Sequence, residues 1–346
     1  MKLFSYNSKK QLKVILLSLL IVCAVSLLFV LCRALYIQRY LVYTENEVKL
    51  DYSLKPDNSE HNTTPAWANH PPEIVIEDPV AQVSSFSDMP LEKLSGYYIT
   101  TQMLRDIERV NTVYATLEET PDAIMLDLKS IYGNFYYSSG TEGAVTSSAD
   151  ISAIDSMIAQ MAKSDETYLI ARIASLSDTN FALAHQTCGL PLRSGALWMS
   201  SEGCYWLDPM NEDVQDYLAS IARELASLGF DEVVFDDFRV PDSTNIVYDQ
   251  ELSREEAAAE ASKAIIEKLS DVPIRISFNS ANPDVAANSD RVYLVTQDGA
   301  MVAGLVDSVK DSVTDPAAEI VFLTPSRDTR FDGYSLLRPL IEERET

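Results

Sequence analysis

The chain has 346 residues, with 52 acids against 27 bases, four Cys, three His and 47% hydrophobic residues. It is too long for a small disulfide scaffold and too apolar for a disordered chain. A net charge of −25 without a basic domain argues against nucleic acid as a partner. So few His and Cys leave little material for a metal site, and no cofactor is implied.

The first 40 residues hold six bases and no acid, and the rest is strongly acidic. Residues 14–32 read VILLSLLIVCAVSLLFVLC, 19 positions without a charge. That is about one bilayer core of helix at ~1.5 Å per residue. A cleaved signal peptide is the alternative, but its apolar run is usually ~7–15 residues, and no small-x-small site follows. The pattern predicts a cytoplasmic segment over 1–13, a transmembrane helix over 14–34 and an extracytoplasmic remainder. Lys2, Lys9, Lys10 and Lys13 set that orientation, against Arg33 and Arg39 on the far side.

Residues 35–94 read as a spacer, with six Pro between 41 and 90. His61, His70 and the sequon at Asn62 fall within it. Cys188 and Cys204 lie 16 apart further on. Outside the cytoplasm they predict either a disulfide, worth ~3 kcal/mol, or two free buried thiols.

From Gly96 short apolar runs alternate with helical stretches. The runs are 96–100, 123–129, 167–173, 232–238, 273–278, 291–296 and 319–324, with a weak eighth at 333–337. Helical patterns cover 102–118, 150–163, 211–228, 253–270 and 299–312, and about 335–344 suggests another. Ser253 with Glu256 forms a capping-box start, and Gly229 a left-handed stop. Near-continuous apolar strands separated by helices mean parallel βαβ units. The predicted fold is α/β, a TIM-type (β/α)8 barrel over 95–346, incomplete or irregular at its C-terminal end. No G-x-G-x-x-G follows the first strand, which lowers a nucleotide-binding alternative.

In such a barrel, function sits where strands end. Those ends carry Asp127 and Lys129, Arg172, Asp236, Asp237 and Arg239, Asn279, Asp298, and Asp328. An acid inside an apolar strand is costly unless paired or useful. Strand alternation puts Asp127 and Lys129 on one face, and Asp236 and Asp237 on opposite faces. A stretch of about 37 residues, 174–210, exceeds ordinary loop length. It holds Trp198 and Trp206, while Tyr132, Tyr136 and Tyr137 follow the second strand; aromatics over a barrel mouth suit sugar stacking. Some of these can anchor the loop instead, Trp206 beside Leu207, Asp208 and Pro209 first among them, and His185 reads as structural.

Four motifs carry a family resemblance. PDAIMLDLKSIYG within 111–133, LIARIASLSD at 169–178, WLDP at 206–209 and LGFDEVVFDDFRVP at 228–241 resemble the bacterial putative glycosyl hydrolase domain family. That TIM-barrel group is related in pattern to α-amylase-like glycosidases. Asp237 stands where the family has Tyr, Val240 where it has Phe, and the fifth strand ends in Asn279 instead of an acid.

The resemblance implies a glycoside hydrolase working through two carboxyl groups, and the apolar N-terminal segment makes it a membrane-anchored one acting on an extracellular or cell-wall polysaccharide. It makes Asp236 the nucleophile or base. Asp127 is the best remaining second carboxylate, with Asp298 and Asp328 behind it. Arg172 and Arg239 would orient the acids. Lys129, Tyr132, Trp198, Trp206 and Asp237 would contact sugar. A glycan-binding barrel without activity and an envelope interaction scaffold are the competing expectations.

Overall fold

The computed structural model describes residues 41–44, 47–50, 91–164, 166–248 and 251–342. The chain divides into two compact units, Met1–Asp78 and Pro79–Thr346. Within the first, Leu41–Thr44 and Glu47–Leu50 pair as an antiparallel hairpin, so the predicted spacer contains secondary structure. The predicted transmembrane segment 14–34, His61, His70 and the Asn62 sequon lie outside the described residues. Among those described, no helix is long and apolar enough to cross a membrane.

The second unit is a closed barrel of eight parallel strands. They are β1 Ser95–Ile99, β2 Ala123–Lys129, β3 Tyr168–Ala174, β4 Glu232–Asp236, β5 Arg275–Asn279, β6 Val292–Val295, β7 Ile320–Leu323 and β8 Ser335–Pro339. Each pairs with the next, and β8 closes on β1. Ser335–Pro339 is therefore the closing strand, where the sequence suggests a helix over about 335–344. Its burial alternates along Ser335–Pro339, the period of a strand with one face turned to the core.

The main helices are α1 Ile107–Tyr114, α2 Ile151–Met161, α3 Glu212–Ser227, α4 Arg254–Lys268 and α5 Val302–Val309. Ser253 and Glu256 close the capping box on α4. Gly229, at φ 92°, ends α3 in the left-handed conformation. A β-carbon there would come 2.9 Å from that of Ala162. The connection from β5 to β6 holds only the one-turn helix Pro283–Ala286.

The outer faces of the strands pack on the helices in the larger core. Met125, Ile170, Val234, Tyr293, Val321 and Leu337 fill the interior as a separate cluster. Two residues further along, on the same interior face, come Asp127, Arg172 and Asp236. The apolar layer thus ends and the polar mouth begins in one step, at the C-terminal ends of β2, β3 and β4.

Candidate active site

Arg172 is the centre of the mouth. Its Nε and Nη2 donate to the two oxygens of Asp127, at 2.6 and 2.7 Å. Its Nη1 lies 3.6 Å from Asp236 Oδ2. Asp236 Oδ1 accepts from Asn279 Nδ2 at 2.5 Å and from the Asp237 amide at 2.9 Å. One guanidinium and one side-chain amide therefore link β2, β3, β4 and β5. The Asp127 side chain is 12% exposed and that of Asp236 27%, so the second is the more open carboxylate.

Burial pushes the Asp127 carboxyl above its usual range, and the charge of Asp236 adds to this; Arg172 pulls the other way. Burial alone would lower the Arg172 pKa. The two carboxylates outweigh it and keep the guanidinium charged.

Asp127, Arg172 and Asp236 open into a cleft of about 350 Å³, which Thr101, Arg105, Tyr132 and Asn134 also line. Thr101 and Arg105 follow β1, and no strand-end motif in the sequence marks them. Tyr132 is 44% exposed, and its hydroxyl donates to the Glu202 carbonyl at 2.9 Å, tying the β2 loop to the β3 loop.

Lys129 does not share a face with Asp127. The ladder to β3 runs Asp127 to Arg172 and then Lys129 to Ile173, an irregularity that skips one residue. A bulge turns the next side chain to the other face. The Lys129 ammonium is buried, 2.7 Å from Asp178 and 2.5 Å from the Ala174 carbonyl. Two of its three donors are thus taken by protein groups, although the residue also borders the cleft. Asp178 also accepts from Tyr217 Oη at 2.9 Å and from the Phe181 amide at 2.8 Å. Gly133, at φ 81°, lies so close that a β-carbon would meet Asp178 Oδ1 at 2.0 Å. Only glycine allows that approach.

This ion pair pins the long stretch after β3. Instead of an open loop, it contains the helix Thr179–Ala184, a 3-10 turn at Gln186–Cys188, and antiparallel bridges such as Gly189 to Leu207 and Met199 to Tyr205. Trp206 is 4% exposed beneath Arg239, whose guanidinium carbon lies 5.0 Å from the ring centre. Trp206 is thus a loop anchor, and Arg239 covers it. Trp198 packs on the core. Neither Trp, nor Arg239, nor Asp237, lines the cleft; Asp237 adjoins it through Asp236, to which its amide donates. His185 lies against Phe181, ring centres 4.5 Å apart.

Cys188 and Cys204 are buried free thiols, so the predicted disulfide is absent. The bridge from Gly189 to Leu207 sets Cys188 opposite Asp208. Cys204 lies four positions back, about 13 Å at ~3.3 Å per residue. A disulfide needs α-carbons within ~7 Å. Cys204 Sγ rests instead 3.1 Å from Ser200 Oγ.

Asp298 and Asp328 stand apart from the cleft. Each caps a 3-10 turn, and Asp328 pairs with Arg330 at 2.7 Å. Asp237 is the only described non-glycine residue with positive φ, at 53°. The left-handed step ends strand alternation just after Asp236. Asp237 Oδ2 accepts from Ser177 Oγ at 2.6 Å.

A parallel eight-stranded α/β barrel with a carboxylate–arginine cluster at its C-terminal mouth defines the class. The chain belongs to the family described as putative glycosyl hydrolase domain, whose profile matches residues 96–309. No curated protein sequence matches it. Among solved structures it is similar to a hypothetical protein from Ruminiclostridium thermocellum, at 22% identity and TM-score 0.45, covering 53% of this chain and 96% of that one. It is also similar to the glycoside hydrolase domain of PelA from Pseudomonas aeruginosa, at 13% identity and TM-score 0.44, covering 72% and 95%. A third is Aspergillus fumigatus Ega3 in complex with galactosamine, at 11% identity and TM-score 0.44, covering 72% and 93%.

Proposed function

We propose that this protein is a membrane-anchored glycoside hydrolase of an extracellular or cell-wall polysaccharide, with Asp236 as its nucleophile or base. The observation that carries this is the state of Asp236. It ends β4 on the interior face, lies in the cleft, and keeps its Oδ2 edge open, 3.6 Å from Arg172. Fixed donors on Oδ1 hold its orientation, as a reacting carboxylate requires. Tyr132 offers an exposed ring at the rim for a sugar face. Asp127 acts on Asp236 through the guanidinium they share. The uncharged run 14–32 supports the anchor, and the lysines before it support the placement of the barrel outside the cytoplasm.

The test is Asp236→Asn, assayed by reducing-sugar release from cell-wall and extracellular polysaccharides. Loss of release with an unchanged melting profile is the expected result. Retained release would remove Asp236 from the mechanism. A second reading, a barrel that binds glycan without cleaving it, is favoured by Asn279 standing where an amylase-like site has an acid. Glycan binding by the wild type with no turnover on any polysaccharide would select it.

A further inference from the structure

Cleavage of a glycosidic bond needs a proton for the departing oxygen as well as a carboxylate at the sugar carbon. The cleft does not offer an obvious donor. Asn279, at the end of β5, is an amide already committed to Asp236. Asp127 has both oxygens engaged by one guanidinium at 2.6 and 2.7 Å. That arrangement belongs to the ionised carboxylate. A proton on either oxygen would face an N–H and break one of the two bonds.

Asp237 differs in each respect. It follows Asp236 directly, and its own amide donates to Asp236 Oδ1 at 2.9 Å. Its left-handed backbone, φ 53°, departs from the alternation that would have sent it to the opposite face. Such a conformation costs energy for any residue but glycine and tends to persist at working sites. One oxygen, Oδ2, is oriented by Ser177 Oγ at 2.6 Å, and Ser177 itself is fully buried. No described residue hydrogen-bonds to the other oxygen, and the residue is partly exposed.

We propose that Asp237 is the proton donor of this site, replacing the acid that the fifth strand lacks. The inference rests on the hydrolase reading and on Asp236 as its partner. The C1–O bond breaks, and its electron pair stays on the departing oxygen. That oxygen takes the proton of the Asp237 carboxyl. C1 receives a new pair either from Asp236 Oδ2 or from a water that Asp236 deprotonates. Where C1 has bonded to Asp236, a water that the Asp237 carboxylate deprotonates attacks C1, the C1–Oδ2 bond breaks, and both groups are restored; where water attacks directly, Asp236 keeps its proton, and Asp236 then loses and Asp237 regains one proton by exchange with solvent. Burial and the charge of Asp236 push the Asp237 carboxyl above the ordinary carboxylate range, against the pull of Ser177, Arg239 and Arg172. These groups therefore leave it better able to hold a proton.

The test compares leaving groups. Wild type and Asp237→Asn are assayed on 2,4-dinitrophenyl and methyl glycosides of glucose, galactose and N-acetylglucosamine, and on oligosaccharides from plant and bacterial cell walls. Asn tolerates left-handed φ and still accepts from Ser177, so the fold is retained. A departing dinitrophenolate needs no proton, whereas a sugar or methanol does. The expected result is a loss of about 10²-fold or more on oligosaccharide and methyl glycoside, with little loss on the dinitrophenyl compounds. The high-pH limb of the kcat/KM profile should also disappear in the variant. Equal losses on both leaving groups, or none on either, with wild type active, would overturn the assignment of Asp237 alone. No turnover of the whole set by wild type would overturn the hydrolase reading beneath it. Ser177→Ala, which removes only the orienting hydroxyl, should show the same leaving-group pattern more weakly.

Discussion

At each end of the barrel interior an arginine meets a carboxylate at 2.6 Å. At the end where strands begin, Arg291 Nη1 pairs with Glu232, and both side chains are almost wholly buried. Tyr168 Oη donates to the same Glu232 oxygen at 3.0 Å and lies 3.3 Å from Arg291 Nη1. A second Arg291 nitrogen donates to the Glu92 carbonyl at 3.2 Å. This end is a closed plug. At the end where strands finish, Arg172 meets Asp127 and still has Asp236 within 3.6 Å, with exposures of 14%, 12% and 27%. The same chemistry is sealed at one end and left with an open carboxylate edge at the other. A buried pair costs desolvation at both ions, so the sealed one is justified by geometry alone. The open one retains a carboxylate that a ligand can reach.

The largest expected effect at either end separates the two roles. Asp236→Asn should lower turnover on the order of 10³-fold or more, since it removes the carboxylate proposed to react while keeping its shape. Its melting temperature should stay near that of wild type. Glu232→Gln should do the reverse. It leaves Arg291 charged and buried without its counter-ion, which costs about 3–5 kcal/mol. For a barrel of this size that is a fall of roughly 10 °C in melting temperature. Calorimetry and initial rates on both variants would read the contrast. An Asp236→Asn protein that melts early but still turns over would invert it.

Arg172→Lys sharpens the comparison from within the open end. Lysine keeps the charge but cannot make two parallel bonds to Asp127. Loss of one charge-assisted hydrogen bond costs about 1.5–3 kcal/mol. Turnover should fall as well, because Asp236 loses the fixed positive edge beside Oδ2. Chemical denaturation and kcat measured on the same preparation test both halves. A stable variant with full activity would show that Arg172 is not the link between the carboxylates.

How far the sequence carried these conclusions varies from residue to residue. Strand ends were legible because interior acids interrupt long apolar runs, as at Asp127 and Asp236. The closing strand was faint, since Ser335 and Arg338 dilute its apolar pattern and the same region admits a helical period. The bulge after Asp127 was not legible. Nothing local distinguishes an alternating Asp-Leu-Lys from a bulged one until Asp178 arrives from 49 positions away to claim the lysine. Trp206 admitted both a sugar platform and a loop anchor for a related reason. Its place beneath Arg239 depends on how residues 189–207 fold back on themselves. Arg105 carried no signal, because its position on the cleft wall follows from barrel closure.

The smallest effect concerns stability against pH and again falls at the open end. Burial raises the Asp237 carboxyl, with Asp236 adding to it. The unfolded value is ~3.9. Between the two values the folded state holds more protons than the unfolded one. Stability therefore falls as pH rises through that window, the opposite of an acid whose folded pKa is depressed. Asp237→Asn removes this loss. Below the unfolded pKa, variant and wild type should denature at similar urea concentrations. At neutral pH the variant should be the more stable, although it has lost the proposed proton donor. Paired urea titrations at pH 3.5 and pH 7 measure the difference. A variant less stable at neutral pH than in acid, relative to wild type, would mean that Asp237 is held as a paired structural anion. The open end would then be as closed in function as the plug at Arg291.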